Sequence, residues 1–456
     1  MKKLLLTLLI FTTTIINAQH TVRGIMTPPE KSDWVILYEV EGSKQKFIAN
    51  TTIKFDTVVV GGEQQVLGKF QFELPAGAKK GVYRASYRNT GNGFIDFYYN
   101  NENIEFIFNP KYADESIVFT SSRENKLFQD YMQTSTKLQK EIDVLQGSYI
   151  ENNSKEIKKQ YKKKVKALED LQDSYENKSE GMFVNTFIEA SQKYNSSSPK
   201  ETMEDYFSSV VKNFFNYVDF KSEVLFSSPL LIDKVTQYIF QLNFSEDYEV
   251  QQQHLKDSIT DVLNKITSKK LENRTITYLI KVLTAQRNGP LVDWLFENYY
   301  DKLPSDKQDS EFKKETLATL RATVGRIAPD FSWKENGKEM KLSTLNDGEK
   351  YLLIFWSTNC PHCVKEIPVL HESMKNRNEI SIISFGIEND SVNWTEFVKT
   401  LPNWHNAIGT HPENKWDNEI VQTYQLLATP TYFVLDKNKK IIAIPDHMED
   451  VQKYFK

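Results

Sequence analysis

The sequence predicts a multidomain chain. An N-terminal antiparallel all-β sandwich covers residues 19–122, a central all-α region 123–322, and a C-terminal α/β domain 323–456. Three observations carry this division. Up to about Ser122, apolar residues recur with period two in short runs broken by Gly, Asn and Pro. From Arg123 the period becomes helical, with few Gly or Pro, until Val324-Gly325 breaks the pattern. Beyond that break, the apolar run Tyr351-Leu352-Leu353-Ile354-Phe355-Trp356 feeds a Cys-x-x-Cys, and a helical spacing of Val364, Ile367, Leu370 and Met374 follows.

In the β block, Trp34–Tyr38, Thr57–Val60, Lys69–Leu74, Gly81–Tyr87, Gly93–Tyr99 and Ile104–Phe108 are the expected strands. Short, regularly punctuated strands favour an antiparallel sandwich or small barrel. The aromatic cluster Phe94, Phe97, Tyr98 and Tyr99 is expected in the core rather than on a binding face. In the helical region, Ile142, Leu145 and Tyr149 share one face, as do Ile157, Tyr161, Val165 and Leu168. Further helices are expected near 201–219, 229–243, 250–268, 272–287, 291–300 and 306–322. The lysines 158, 159, 162, 163 and 164 have Glu151, Glu156, Glu169 and Asp170 close by, which describes a solvated helix surface rather than an anion site.

The 456 residues, 39% apolar and 12% aromatic, suffice for several cores, and a net charge of −4 gives no reason to expect nucleic acid or anionic lipid as a partner. Met1–Ala18 reads as a secretory leader, with Lys2 and Lys3 ahead of an apolar stretch and a small residue for cleavage at Ala18. An uncleaved N-terminal anchor is the rival reading, although the run is short for a membrane span. No cysteine follows the leader, so the expectation is a periplasmic protein that is not a lipoprotein. Only two cysteines occur in the sequence, which excludes a disulfide-stapled scaffold.

Those two cysteines, Cys360 and Cys363, carry the chemistry. A strand that delivers a Cys-x-x-Cys to the first turn of a helix places the first sulfur against unpaired N–H groups and the positive end of the dipole, which favours the thiolate. Pro361 suits the first helical position, and His362 adds a group able to carry positive charge. Such a dithiol attacks a disulfide with Cys360, holds the mixed intermediate, and resolves it with Cys363. A zinc site would need further ligands, and His371, His405 and His411 are too scattered to supply them. The reading therefore calls for no metal and no cofactor beyond a redox-active Cys360–Cys363 disulfide. A one-cysteine peroxidase is disfavoured, because Ser357 stands in place of a threonine and no arginine is near.

From about Gly325 onward the chain resembles the TlpA/ResA-like thiol–disulfide oxidoreductases of the thioredoxin fold. The resemblance rests on Ala328-Pro329-Asp330-Phe331, Leu342-Ser343-Thr344-Leu345, Phe355-Trp356, Cys360-x-x-Cys363-x-x-Glu366-x-Pro368 and the segment Tyr424–Asp436 around Thr429-Pro430. The β block resembles, more loosely, the β domain that often precedes such domains. The resemblance implies a cis peptide at Pro430 facing the dithiol, with Trp356, Thr429 and Pro430 bordering the substrate, and redox tuning by Pro361, His362 and Glu366. Two positions depart from relatives: Asn359 stands where many carry tryptophan, and Ile354 where cytoplasmic thioredoxins carry a buried acid. The Cys-Pro-His-Cys tetrapeptide matches that of the oxidising DsbA-like family, so reductase, isomerase and oxidase directions stay open.

The leading reading is thus an exported enzyme that exchanges disulfides with protein substrates and is served by a redox partner, a membrane electron carrier among the candidates. The alternative is a protein-binding scaffold in which residues 19–322 capture a partner and the redox domain is secondary. Trp404, His405 and Trp416 are expected in a long connection, each tryptophan as core.

Overall fold

A computed structural model of the chain describes residues 20–30, 32–88, 93–377 and 379–455. The leader expected at Met1–Ala18 lies outside the described residues. The chain divides into two compact units, Met1–Leu271 and Glu272–Lys456. This is not the three-part division expected from the changes of period. In the first unit the β layer and its helices share a core, for the Tyr98 ring packs on Phe128 and Phe187 at 4.8 and 4.5 Å between centroids. Backbone also joins them: Asn125 accepts from the Tyr98 amide and donates to its carbonyl.

Among the described residues the β layer has nine strands: β1 (Thr21–Met26), β2 (Trp34–Glu41), β3 (Lys44–Thr52), β4 (Lys54–Val60), β5 (Glu63–Glu73), β6 (Gly81–Ser86), β7 (Phe94–Tyr99), β8 (Ile104–Phe108) and β9 (Val118–Phe119). One sheet runs β4-β5-β1-β8-β9 and the other β3-β2-β6-β7. Their inward residues, among them Val22, Phe70 and Phe106 from the first and Leu37, Tyr83 and Phe97 from the second, form one core. The expectation of a wholly antiparallel sandwich is corrected here. β1 and β8 pair in parallel, Val22 opposite Ile104 through Met26 opposite Phe108. The intervening chain passes through the second sheet before returning, so it re-enters beside β1 in the same direction.

The helices that follow include Arg123–Glu151 and Lys155–Ser179. Ser122 and Ser154 cap them, their hydroxyls accepting from the Asn125 and Glu156 amides at 3.1 and 3.2 Å. Ile142, Tyr161, Val165 and Leu168 close into a shared cluster, and Lys164 pairs with Glu141 at 2.5 Å on the solvated side.

In the second unit the helices Gly289–Asn298 and Ser310–Thr319 precede the strands β10 (Ser332–Glu335), β11 (Lys338–Lys341), β12 (Lys350–Trp356), β13 (Ile380–Glu388), β14 (His405–Thr410), β15 (Thr431–Asp436) and β16 (Ile441–Ala443). The helix expected over 306–322 is shorter, spanning Ser310–Thr319. His405 lies at the start of β14 rather than in a connection.

The main sheet has the order β14-β13-β12-β15-β16. β12, β13 and β14 are parallel, whereas β15 and β16 run antiparallel to them. Its central strands are buried on both faces, which explains the unbroken apolar runs. Tyr351, Leu353 and Phe355 face one side with Phe331, Tyr424 and Phe433. Leu352, Ile354 and Trp356 face the other, against Cys363, Ile367 and Leu370 of the helix Pro361–Met374. The stretch Gly325–Ala328 bonds to β16 and its turn, through Gly325 N–H to the Ile441 carbonyl at 2.8 Å and Ala328 N–H to the Lys439 carbonyl at 2.8 Å.

Candidate active site

β12 ends at Trp356, and the three residues Ser357-Thr358-Asn359 carry the chain to Cys360, the N-cap of the helix Pro361–Met374. Pro361 occupies the first helical position, where its missing N–H costs nothing. Cys360 itself supplies the cap: its sulfur accepts from the Cys363 amide at 3.2 Å. Both cysteines are free thiols in this structure; Cys360 is partly exposed, and Cys363 is fully buried in the core between sheet and helix.

The environments separate the two sulfurs. Burial pushes the Cys360 thiol up, but hydrogen bonds from the Cys363 thiol and amide, from Thr429 and from the His362 amide outweigh it, and the net shift is downward. Burial pushes Cys363 up, and its hydrogen bond to Cys360 adds to this, carrying it to about 12 although the Ser357 amide and Thr429 pull the other way. At neutral pH the first sulfur is thus the better source of thiolate, and the second is a proton store.

Thr429-Pro430 faces this pair. The peptide is cis, and the Thr429 carbonyl lies 3.3 Å from the Cys360 sulfur. That carbonyl accepts from the Cys360 thiol, and the Thr429 side chain also bonds the sulfur and helps to lower it. Ala428 and Leu427 flank it and are exposed; Leu427 retains 90% of its surface in solvent. His362 is exposed on the helix start and reaches Cys360 through its backbone amide. Glu366, one turn beyond Cys363, accepts from the Tyr432 hydroxyl at 3.1 Å. Burial first, then the charges of Glu366 and Cys363, raise the Tyr432 phenol strongly, so it stays protonated and acts as a donor.

Trp356 departs from its expected place at the substrate. It is fully buried, on the sheet face covered by the helix, and its Nε1 donates to Ser384 Oγ at 2.7 Å. The strand's alternation, with Ile354 and Trp356 on one face, dictates this. What sequence reasoning missed is a polar cluster behind the loop. Glu388, at the end of β13 and 2% exposed, accepts from the Thr358 amide at 2.5 Å and lies 3.3 Å from Ser357 Oγ, to which Lys415 Nζ donates at 2.7 Å. Among the described residues no group of three or more His, Cys, Asp or Glu is arranged to hold a metal ion.

Residues 324–444 match the model of the AhpC/TSA family. Over 123 residues the chain is 30% identical to the thiol–disulfide oxidoreductase ResA of Bacillus thuringiensis subsp. konkukian, covering 26% of this chain and 67% of the relative. The same values hold for ResA of Bacillus cereus. The chain belongs to the TlpA/ResA-like thiol–disulfide oxidoreductases. A solved domain of a possible thiol-disulfide isomerase from Cytophaga hutchinsonii is 29% identical, with a TM-score of 0.25, over 29% of this chain and 89% of that one. As a member of this family the protein is an enzyme of the thiol–disulfide oxidoreductase class, and the ResA-like part is its second unit from about residue 324.

Proposed function

We propose that the protein acts outside the cytoplasm and exchanges disulfides with protein substrates through Cys360 and Cys363. The observation that carries this is the opposed tuning of the two sulfurs: Cys360 lowered at the helix start, Cys363 buried and raised to about 12. In the reducing direction the Cys360 thiolate attacks one sulfur of the substrate disulfide. The substrate's other sulfur leaves as a thiolate, and a mixed disulfide forms at Cys360. Cys363 then loses its proton and attacks Cys360 Sγ, expelling the substrate's first sulfur. The enzyme leaves with a Cys360–Cys363 disulfide, oxidised by two electrons, and the substrate with two thiols. Oxidation of a substrate is the same path run backwards, and a redox partner resets the pair after each turnover.

Thr429 and Pro430 border the attacked sulfur, where an extended substrate chain would pair with the loop backbone. Glu366, which accepts from the Tyr432 hydroxyl, is the group best placed to take up the proton that Cys363 must lose. Export is supported by the leader-like Met1–Ala18 and by a sequence with no third cysteine to mispair. No described helix is long and apolar enough to cross a membrane.

The test is a pair of variants in a thiol-exchange assay with a disulfide-bonded protein. Cys360→Ser is expected to abolish exchange, and Cys363→Ser to accumulate an enzyme–substrate mixed disulfide. A Cys360→Ser protein with full activity would contradict the proposal.

A further inference from the structure

The cluster behind the active-site loop has no part in the exchange steps, yet it touches both cysteines through one residue. Ser357 is fully buried. Its carbonyl accepts from the Cys360 amide at 3.1 Å, and its own amide reaches Cys363. Its hydroxyl is saturated: Lys415 Nζ donates to it at 2.7 Å, the Asn359 amide donates at 3.2 Å, and Glu388 lies 3.3 Å away as the acceptor of its proton. Glu388 also takes the Thr358 amide at 2.5 Å. A carboxylate from the end of β13 and an ammonium from the 3-10 turn Lys415–Asp417 therefore converge on the three residues that lead into Cys360. A buried carboxylate is costly to maintain unless it is hydrogen-bonded and its charge offset. Nothing in a plain strand-to-helix turn demands one.

We infer that Glu388 and Lys415 are positioning residues that hold the Ser357–Asn359 loop and set the balance between dithiol and disulfide through their opposite charges. The inference rests on the exchange reading above. Its physical basis is simple. The disulfide is neutral, whereas the reduced pair carries a thiolate. A fixed negative charge behind the loop weakens the reduced form, and a fixed positive charge strengthens it. Ile354, on the sheet face beneath the helix, is a buried aliphatic residue and contributes no charge, so Glu388 enters from the neighbouring strand instead.

The test uses the full chain equilibrated in glutathione redox buffers at about pH 9, where a cysteine lowered from 9.0 is more than half ionised. Glu388→Gln keeps an acceptor for Thr358 and removes the charge; the equilibrium is expected to move about fivefold toward the dithiol. Lys415→Met is expected to move it about fivefold toward the disulfide, and the double variant to return near the wild type. Loss of a merely structural contact would not produce shifts of opposite sign. Lys415 is half-exposed, so its variant reports even where Glu388→Gln fails to fold. A wild-type pair that cycles normally, with variants that are unshifted or shifted in the same direction, overturns this assignment alone. A wild-type pair that does not cycle overturns the exchange reading and the assignment together.

Discussion

The Cys363 amide donates to the Cys360 sulfur at 3.2 Å, so the resolving residue stabilises the attacking one through its backbone while its own thiol stays in the core. Attack and resolution are thereby assigned by one turn of helix. Removing the Cys363 side chain leaves that amide in place, which is why a Cys363 variant should still attack but fail to resolve.

The first consequence is a separation in pH. Cys360 is lowered from 9.0, whereas Cys363 is raised to about 12. Alkylation of the reduced protein by iodoacetamide should modify Cys360 first, with a rate that climbs through a midpoint below 9.0 and levels off above it. Cys363 should stay unmodified across that range in the folded protein. Mass mapping of the labelled peptide checks both statements, and equal labelling of the two cysteines would contradict them.

A second prediction concerns stability. Both ring nitrogens of His405, at the start of β14, are engaged: Nδ1 with Glu335 and Nε2 with Asp347, each at 2.7 Å. Burial lowers the His405 pKa, but the two carboxylates outweigh it and the net shift is upward. Burial likewise raises Asp347, and its bond to His405 leads the contacts that bring it below its ordinary value. A raised histidine contributes its full stabilisation below 6.5 and loses it as pH rises through its folded value. A lowered aspartate contributes above 3.8 and loses it as pH falls through its folded value. The clamp is therefore intact between those limits. His405→Gln should cost about 1 kcal/mol at about pH 6, discounted for the exposed side of Asp347, and much less at about pH 9. Urea unfolding at the two pH values measures the difference.

A third prediction uses Gly386, which sits opposite Trp356 in the β12–β13 register. A Cβ there would run into the Trp394 indole. Gly386→Ala should therefore destabilise the protein by about 1–3 kcal/mol, while the folded fraction still exchanges disulfides at the ordinary rate. Thermal unfolding and specific activity per folded molecule separate the two effects.

Much of this was legible in the sequence because its signals are local. A buried strand, a Cys-x-x-Cys and a helical period lie within 24 consecutive residues, Tyr351–Met374, and the structure places them as strand, cap and helix. The aromatic cluster read as core does bury Phe97 and Tyr99. Trp356 was misplaced although its strand period carried the answer: a residue in phase with Leu352 and Ile354 faces the helix. β3 escaped notice because most of its residues are exposed and it lacks the apolar alternation that marks a strand. The Glu388–Ser357–Lys415 cluster joins residues 31 and 58 positions apart, and a glutamate ending an apolar strand reads as an ordinary terminus. Likewise His405 meets partners 70 and 58 positions away. Such pairings become visible only when the sheet order is known.

The most direct test of the central claim is the equilibrium of the Cys360–Cys363 pair with glutathione, followed by acid quench and mass spectrometry across a series of redox buffers. The account predicts one two-electron transition between dithiol and disulfide, and its loss in Cys360→Ser. For such a couple about 30 mV corresponds to roughly 1.4 kcal/mol, so the midpoint also indicates whether the enzyme donates or removes disulfides. A pair that stays reduced or stays oxidised through the whole series would contradict the account.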